Sequence, residues 1–256
     1  LQIGNMRIIA ITQARSGSTR FPKKILNKIN GETLLEIHIN RIKKSNLIDE
    51  IIIATTENDS DNIITEIATS LNVKFFKGSE HDVLDRFYKS IISLKPDFIV
   101  RLTSDCSLID GNLIDEIIEE ALKKSLDYYS NILFPTYPDG QDIEVIKFSA
   151  LEKAWNESKL TSDREHVTPF IKNNSTFFGK DFFTSENHQY KQDYNQVRMV
   201  VDYPEDLKVI ELLIQYCGLN ASWLEYVNCY LKESKISSNN IQIERNEGYS
   251  KSLNKD

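Results

Sequence analysis

The chain of 256 residues is predicted to be an α/β protein built on a mostly parallel sheet flanked by helices. Three observations predict it. Short β-branched runs alternate with stripes of apolar residues at helical spacing from residue 8 to about 122. The runs are apolar throughout rather than every second residue, which is how strands covered on both faces read. Polar clusters follow several of these runs directly, where the carboxyl-end loops of such a sheet would lie.

Residues 7–13 hold Ile8-Ile9-Ala10-Ile11 and read as the first strand, ending in Thr12 and Gln13. Thr33 and Glu36 fit a capping box ahead of a helix striped by Leu35, Ile39 and Ile42. Residues 51–55 are a second strand, followed by the stripe Ile63, Ile64, Ile67, Ala68 and Leu71. A short strand at 73–77, a helix at 83–94 and a strand at 98–102 come next. Arg101 interrupts that last run, and an unpaired buried guanidinium is costly, so a carboxylate partner or an exposed edge is expected. Leu113, Ile114, Ile117, Ile118, Ala121 and Leu122 form the next helical face. Beyond 126 the alternation loosens. Strands are expected at Tyr128-Tyr129, 143–148 and 195–201, with capping boxes at Ser149/Glu152 and Ser162/Glu165. Helices follow at 207–217 and 222–231. Residues 6–233 are therefore one domain, with an inserted lobe at 128–195 for an acceptor or a dimer contact and a flexible tail over 234–256.

Composition narrows the function classes. With 40% hydrophobic and 27% charged residues the chain has material for a sizeable core. A net charge of −7 argues against a broad nucleic-acid surface while allowing a local basic pocket. No stretch reads as a membrane span or a signal peptide, which makes the cytoplasm the expected compartment. Cys106, Cys217 and Cys229 are scattered, with no metal-binding spacing.

The loop after the first strand concentrates chemistry. Arg15, Ser16, Gly17, Ser18, Thr19 and Arg20, then Lys23 and Lys24, bring small residues and cations together, as a triphosphate cradle requires. The pattern is not a P-loop, and an ordinary basic surface loop is the alternative. Asp105 and Asp202 each follow an apolar run closely. Two carboxylates at neighbouring strand ends facing such a loop could hold Mg²⁺ on a triphosphate, although either aspartate alone also fits a turn or a helix cap.

Seven segments carry a resemblance: QARSGSTRFPKKIL at 13–26, IDEIIIATT at 48–56, GSEHDVLDRF at 78–87, VRLTSDCSLID at 100–110, PDGQDIEV at 138–145, REHVTPF at 164–170 and VDYPEDL at 201–207. Together and in this order they resemble the cytidylyltransferases that include the CMP-sugar synthetases, nearest to the branch called spore coat polysaccharide biosynthesis protein F. The resemblance implies a Rossmann-like nucleotidyltransferase fold, commonly dimeric. It implies transfer of a CMP group from CTP to a sugar acid or a sugar or polyol phosphate, with Mg²⁺ and release of pyrophosphate. Arg15 and Lys24 match the triphosphate-binding pair, with Ala14 and Ser16 to Thr19 beside them. Asp105 and Asp202 match the metal-binding aspartates. Thr55, Thr56, Asp82, Arg86 and Thr103 would lie near the nucleotide. Asp139, Asp142, Glu144, Arg164 and His166 would face the acceptor.

Two departures stand out. Many relatives carry Gly–Lys where this chain has Lys23-Lys24, and the Kdo enzymes differ across 138–170, which speaks against a Kdo acceptor. Two other readings remain: a metal-dependent glycosyltransferase using a nucleotide-sugar donor, and a non-catalytic nucleotide-binding subunit. The cations from Arg15 to Lys24 separate the first from a nucleotidyltransferase, since a free triphosphate needs them near the departing pyrophosphate.

Overall fold

The computed structural model describes residues 6–245. One sheet of seven strands organises it, in the order β5-β4-β1-β6-β8-β7-β9. Its strands are β1 (Ile8–Gln13), β4 (Glu50–Thr56), β5 (Lys74–Gly78), β6 (Phe98–Thr103), β7 (Tyr128–Ser130), β8 (Glu144–Lys147) and β9 (Ser185–Asn187). A small hairpin, β2 (Lys28–Ile29) with β3 (Glu32–Thr33), stands apart. Pairings β5–β4, β4–β1, β1–β6 and β7–β9 are parallel, and only β8 runs against its neighbours.

The apolar run of β1 is explained by its central place. Successive side chains point to opposite faces of a strand. Ile8 and Ala10 enter one core with α1 (Leu34–Ile42), α2 (Asn62–Ser70) and α4 (Gly111–Lys124). Ile9 and Ile11 enter the other, with α3 (Val83–Ile91), α5 (Phe148–Glu157) and α7 (Pro169–Asn173). A third cluster joins α1 to α8 (Pro204–Cys217), α9 (Trp223–Lys232) and α10 (Ser234–Ser237). Residues 128–195 extend the same sheet through β7, β8 and β9, and α6 (Thr161–His166) packs on α3.

The capping box Thr33/Glu36 is present at the start of α1. Those expected at Ser149/Glu152 and Ser162/Glu165 are not. α5 starts at Phe148 after Lys147, and α6 at Thr161 after Leu160, so both serines lie inside their helices. The strand expected at 195–201 is an extended segment joined to the rest by a single bridge, Asp139 with Arg198. Backbone bonds hold it on both sides: Asp139 N–H to Val197 O, Met199 N–H to Asp139 O, and Val201 N–H to Asp105 O. The expected loose tail is also different. Ile236 and Asn240 are buried and residues 234–245 pack on the body of the chain; 246–256 lie outside the described residues.

Two backbone positions set the site's geometry. Lys23 adopts a left-handed conformation at φ 57°. Gly140 has φ +108°, and a Cβ there would stand 2.7 Å from the Met199 carbonyl carbon. No rotamer relieves a clash with backbone, so Gly140→Ala is expected to lower stability by roughly 2–4 kcal/mol. Lys23→Gly removes a left-handed penalty at an exposed site and should raise stability by about 0.5–1 kcal/mol, net of the entropy glycine loses on folding. Urea unfolding midpoints of the two variants check both signs.

Candidate active site

The carboxyl ends of β1 and β6, the 197–202 segment and helices α6 and α7 surround a cavity of about 1000 Å³. Its centre is an ionic clamp. Lys24 Nζ lies 2.8 Å from Asp105 Oδ2 and 2.9 Å from Asp202 Oδ1. Burial alone would raise the Asp105 carboxyl, but the Lys24 ammonium holds it below the usual carboxylate range. Neither aspartate is spent as a helix cap. Asp110 caps α4, and Tyr203 occupies the cap position of α8.

Each member of the clamp is positioned from a separate part of the chain. Lys24 opens a short 3-10 turn, Lys24–Leu26, after the basic loop. That loop is fixed by Asp61, a buried carboxylate that accepts the Ser16 N–H at 2.7 Å and the Thr56 hydroxyl. Asp105 follows β6, and its carbonyl accepts Val201 N–H. Asp202 is oriented by Asp206, which is fully buried and accepts the backbone N–H of Asp202 at 2.9 Å and of Tyr203 at 3.0 Å. Arg198 completes this arrangement, donating to Asp206, to Asp139 at 2.7 Å and to Asp202 at 3.3 Å. Arg20 reaches Asp202 at 2.6 Å and lies over the Tyr203 ring.

On the other side of the cavity Arg15 pairs with Glu80 at 3.1 Å. Arg86 is only 2% exposed. Its NH1 donates to Ser79 O at 2.7 Å, its Nε meets no acceptor, and among the described residues no carboxylate pairs with it. Burial, with Arg15 close by, draws its pKa down to about 10. A buried guanidinium lining a cavity without a counter-ion is a place for an anion.

Of the sequence-predicted site residues, Ala14, Arg15, Ser18, Thr19, Lys24, Arg86, Thr103, Asp105, Asp139, Asp142, Glu144, His166 and Asp202 line this one cavity. Six do not. Thr55 and Thr56 are fully buried in β4, and Thr56 acts on the loop only through Asp61. Ser16 has given its N–H to Asp61, and Gly17 points to solvent. Asp82 and Arg164 bind each other at 2.7 Å, and Arg164 also donates to the Trp155 and Ser158 carbonyls, so the pair braces α6 against α3. Glu144 lines the cavity but is already engaged by Arg101 and by the Tyr128 hydroxyl, giving Arg101 the carboxylate its burial demands. Arg20, part of the expected basic loop, lines the cavity too, while sequence reasoning missed Lys172, Arg198 and Arg245, which also line it. Arg198 carried a usable signal: a charge inside the apolar run 197–201.

The cytidylyltransferase family model matches residues 9–238. The chain belongs to the cytidylyltransferase family. An uncharacterized protein of Methanocaldococcus jannaschii is 39% identical to this cytidylyltransferase over 241 residues, covering 93% of the chain and 96% of that protein. The spore coat polysaccharide biosynthesis protein SpsF of Bacillus subtilis is 31% identical, covering 82% of this chain and 88% of its own. Among solved structures, a cytidylyltransferase from Leptospira borgpetersenii superposes with a TM-score of 0.86 at 30% identity, covering 94% of this chain and 98% of that one. The Rossmann-like nucleotidyltransferase fold and nucleotidyltransferase activity are those of the family.

Asp105 and Asp202 suit a hard divalent cation. Their oxygens converge on one point, now taken by Lys24 Nζ. Among the described residues no third carboxylate, His or Cys completes a metal cluster. Such a two-carboxylate site leaves the remaining coordination to phosphate oxygens and water, the arrangement Mg²⁺ favours.

Behind the clamp, His38 in α1 is fully buried. Its Nδ1 donates to Cys106 O at 2.9 Å, and its Nε2 accepts from the Thr12 hydroxyl at 2.9 Å. Burial lowers its pKa to about 4. Because the folded value lies below the unfolded one near 6.5, protons favour the unfolded chain: the contribution is complete above about pH 6.5 and lost as pH falls towards 4, by roughly 3 kcal/mol. Stability measured against pH should show this loss in the wild type and a shallower slope over the same window in His38→Gln.

Proposed function

We propose that this cytidylyltransferase moves a CMP group from CTP to a sugar acid or a sugar or polyol phosphate, with Mg²⁺ on Asp105 and Asp202, for surface glycan synthesis. The observation that carries the reading is the clamp: two convergent carboxylates and Lys24 at one point of a cavity whose other wall holds Arg15 and Arg86. The name of the B. subtilis relative, a spore coat polysaccharide biosynthesis protein, supports a glycan product.

In this mechanism an acceptor oxygen attacks the α-phosphorus of CTP in line, the α–β bridging bond breaks, and pyrophosphate leaves with the electron pair. The acceptor's proton passes to solvent or to a nearby base. Bound at the two aspartates, Mg²⁺ would offset charge on the α- and β-phosphates. Arg15, Arg86 and Lys24 stabilise the departing pyrophosphate, Lys24 turning from the carboxylates to the phosphates as the nucleotide enters. Such catalysis is positioning and electrostatics, without a protein nucleophile. The acceptor takes the end of the cavity lined by Asp139, Asp142 and His166.

A cytoplasmic homodimer belongs to the same reading. No helix among the described residues is long and apolar enough to cross a membrane. The exposed Phe177, Phe178 and Phe182 offer apolar surface for a second copy to cover.

The test is pyrophosphate release with Mg²⁺ and each of CTP, UTP, GTP and ATP against a panel of acceptors: N-acetylneuraminate, 3-deoxy-manno-octulosonate, ribitol phosphate and glucose phosphate. Release with CTP and one acceptor is expected, cut at least ~100-fold in Asp105→Ala and in Asp202→Ala. Arg15→Ala and Lys24→Ala should each cost ~10-fold or more. Full activity in both of those variants would sink the nucleotidyl-transfer mechanism.

A further inference from the structure

The family model ends at residue 238, yet the chain beyond it returns to the cavity. Asn240, 2% exposed, anchors this return. Its amide donates to Asp206 Oδ1 at 2.8 Å and to Arg198 O at 3.2 Å, and its own oxygen accepts the Tyr230 hydroxyl at 2.9 Å. It is therefore tied to the same two residues that orient Asp202. Five residues on, Arg245 reaches into the cavity lining. One terminal nitrogen donates to Tyr137 O at 3.1 Å and Asn195 Oδ1 at 2.7 Å, and the other to Asp142 Oδ1 at 2.5 Å. Its Nε stands 3.7 Å from Asp139 Oδ1.

We infer that residues 239–245 are part of the acceptor site, and that Arg245 positions Asp142 and Asp139 to receive hydroxyl groups of the acceptor. The inference rests on the reading above and adds which groups meet the acceptor and what holds them. Asp142 gives one oxygen to Arg245, and its other oxygen makes no hydrogen bond among the described residues although the residue lines the cavity. Asp139 is held from the opposite side by Arg198. An ionised carboxylate only accepts hydrogen bonds. Two of them side by side call for two donors, as the adjacent hydroxyls of a sugar or polyol provide, and they turn an acceptor's own carboxylate or phosphate away from this end. Burial and repulsion from neighbouring carboxylates push both carboxyls up, Asp139 to about 7, and the Arg245 guanidinium beside them works against that push. Arg245 also holds both groups in place through its contacts to Asp142 and Asp139, so it acts through them rather than on the acceptor.

Positioning predicts a split between substrates. In Arg245→Ala, Mg²⁺–CTP affinity by calorimetry should stay within about twofold of wild type, while KM for the panel acceptor rises at least tenfold. Arg245→Lys should recover part of the loss. An acceptor analogue lacking one of the hydroxyls should be nearly indifferent to the substitution. A purely structural tether would instead weaken intact and deoxygenated acceptors alike and lower the unfolding midpoint. That pattern overturns the inference, as does an unchanged acceptor KM or a parallel loss of CTP affinity. If the wild type binds Mg²⁺–CTP but neither turns over nor binds any panel acceptor, the acceptor reading itself fails, and the role of Arg245 fails with it.

Discussion

Two carboxylates brought together in a partly closed cavity repel one another, and the molecule is arranged so that a cation always stands between them. Lys24 holds that place, within 3 Å of both Asp105 and Asp202. The three residues come from segments far apart in the chain, so the clamp can form only when β1, β6 and the approach to α8 are all in register. Each segment has its own fixing point: Asp61 for the basic loop, Val201 for the Asp105 turn, and Asp206 for Asp202. Coulomb attraction in a medium of low polarity is stronger than for the same pair on a surface and offsets the cost of taking these charges out of water. On the proposed reading, a divalent cation and a polyphosphate together would replace both the charge Lys24 neutralises and the charge it carries.

Around that clamp the cavity divides into two chemical halves. One is built by the loop after β1 and by α3, and is basic, with Arg86 buried and in no ion pair among the described residues. The other is built by the chain from 137 to 172 and by the C-terminal return, and three of its carboxylates are each matched to a guanidinium: Asp139 to Arg198, Asp142 to Arg245, Glu144 to Arg101. On the proposed reading, a polyanion would be drawn to the first half and a hydroxyl-rich group to the second.

The sheet's first half was legible because its strands are buried on both faces. Ile8 to Ile11 and the runs in β4 and β6 have no polar alternation to hide them, and the stripes of α1, α2 and α4 follow at clear spacing. What failed lies where the chain relies on distant partners. Val197 to Val201 is as apolar as a strand, but Asp139 and Asp105 meet it through isolated backbone bonds rather than a ladder. The serines of the two missing capping boxes match the motif by type and spacing, while tertiary packing starts both helices elsewhere. Residues from six of the seven short segments meet in one cavity, yet Arg164 and Asp82, assigned to different substrates, satisfy one another instead. Arg245 sits in a stretch rich in Ser, Asn, Lys and Glu. Its composition describes a loose tail, and only the buried Asn240 upstream explains why the chain returns.

Arg198 belongs to both halves at once. The same guanidinium that pairs with Asp139 on the proposed acceptor wall also braces Asp202 and Asp206 beneath the clamp. On that reading, acceptor preference in this scaffold is not a detachable cassette. A graft of residues 128–195 from a relative with another acceptor would carry its own version of Asp139 into a foreign Arg198, and would leave behind the Asn240–Arg245 return that closes the wall. Exchange of specificity between such proteins has to move three separated stretches together, so new acceptors are reached more readily by single side-chain changes along the wall than by recombination of whole segments.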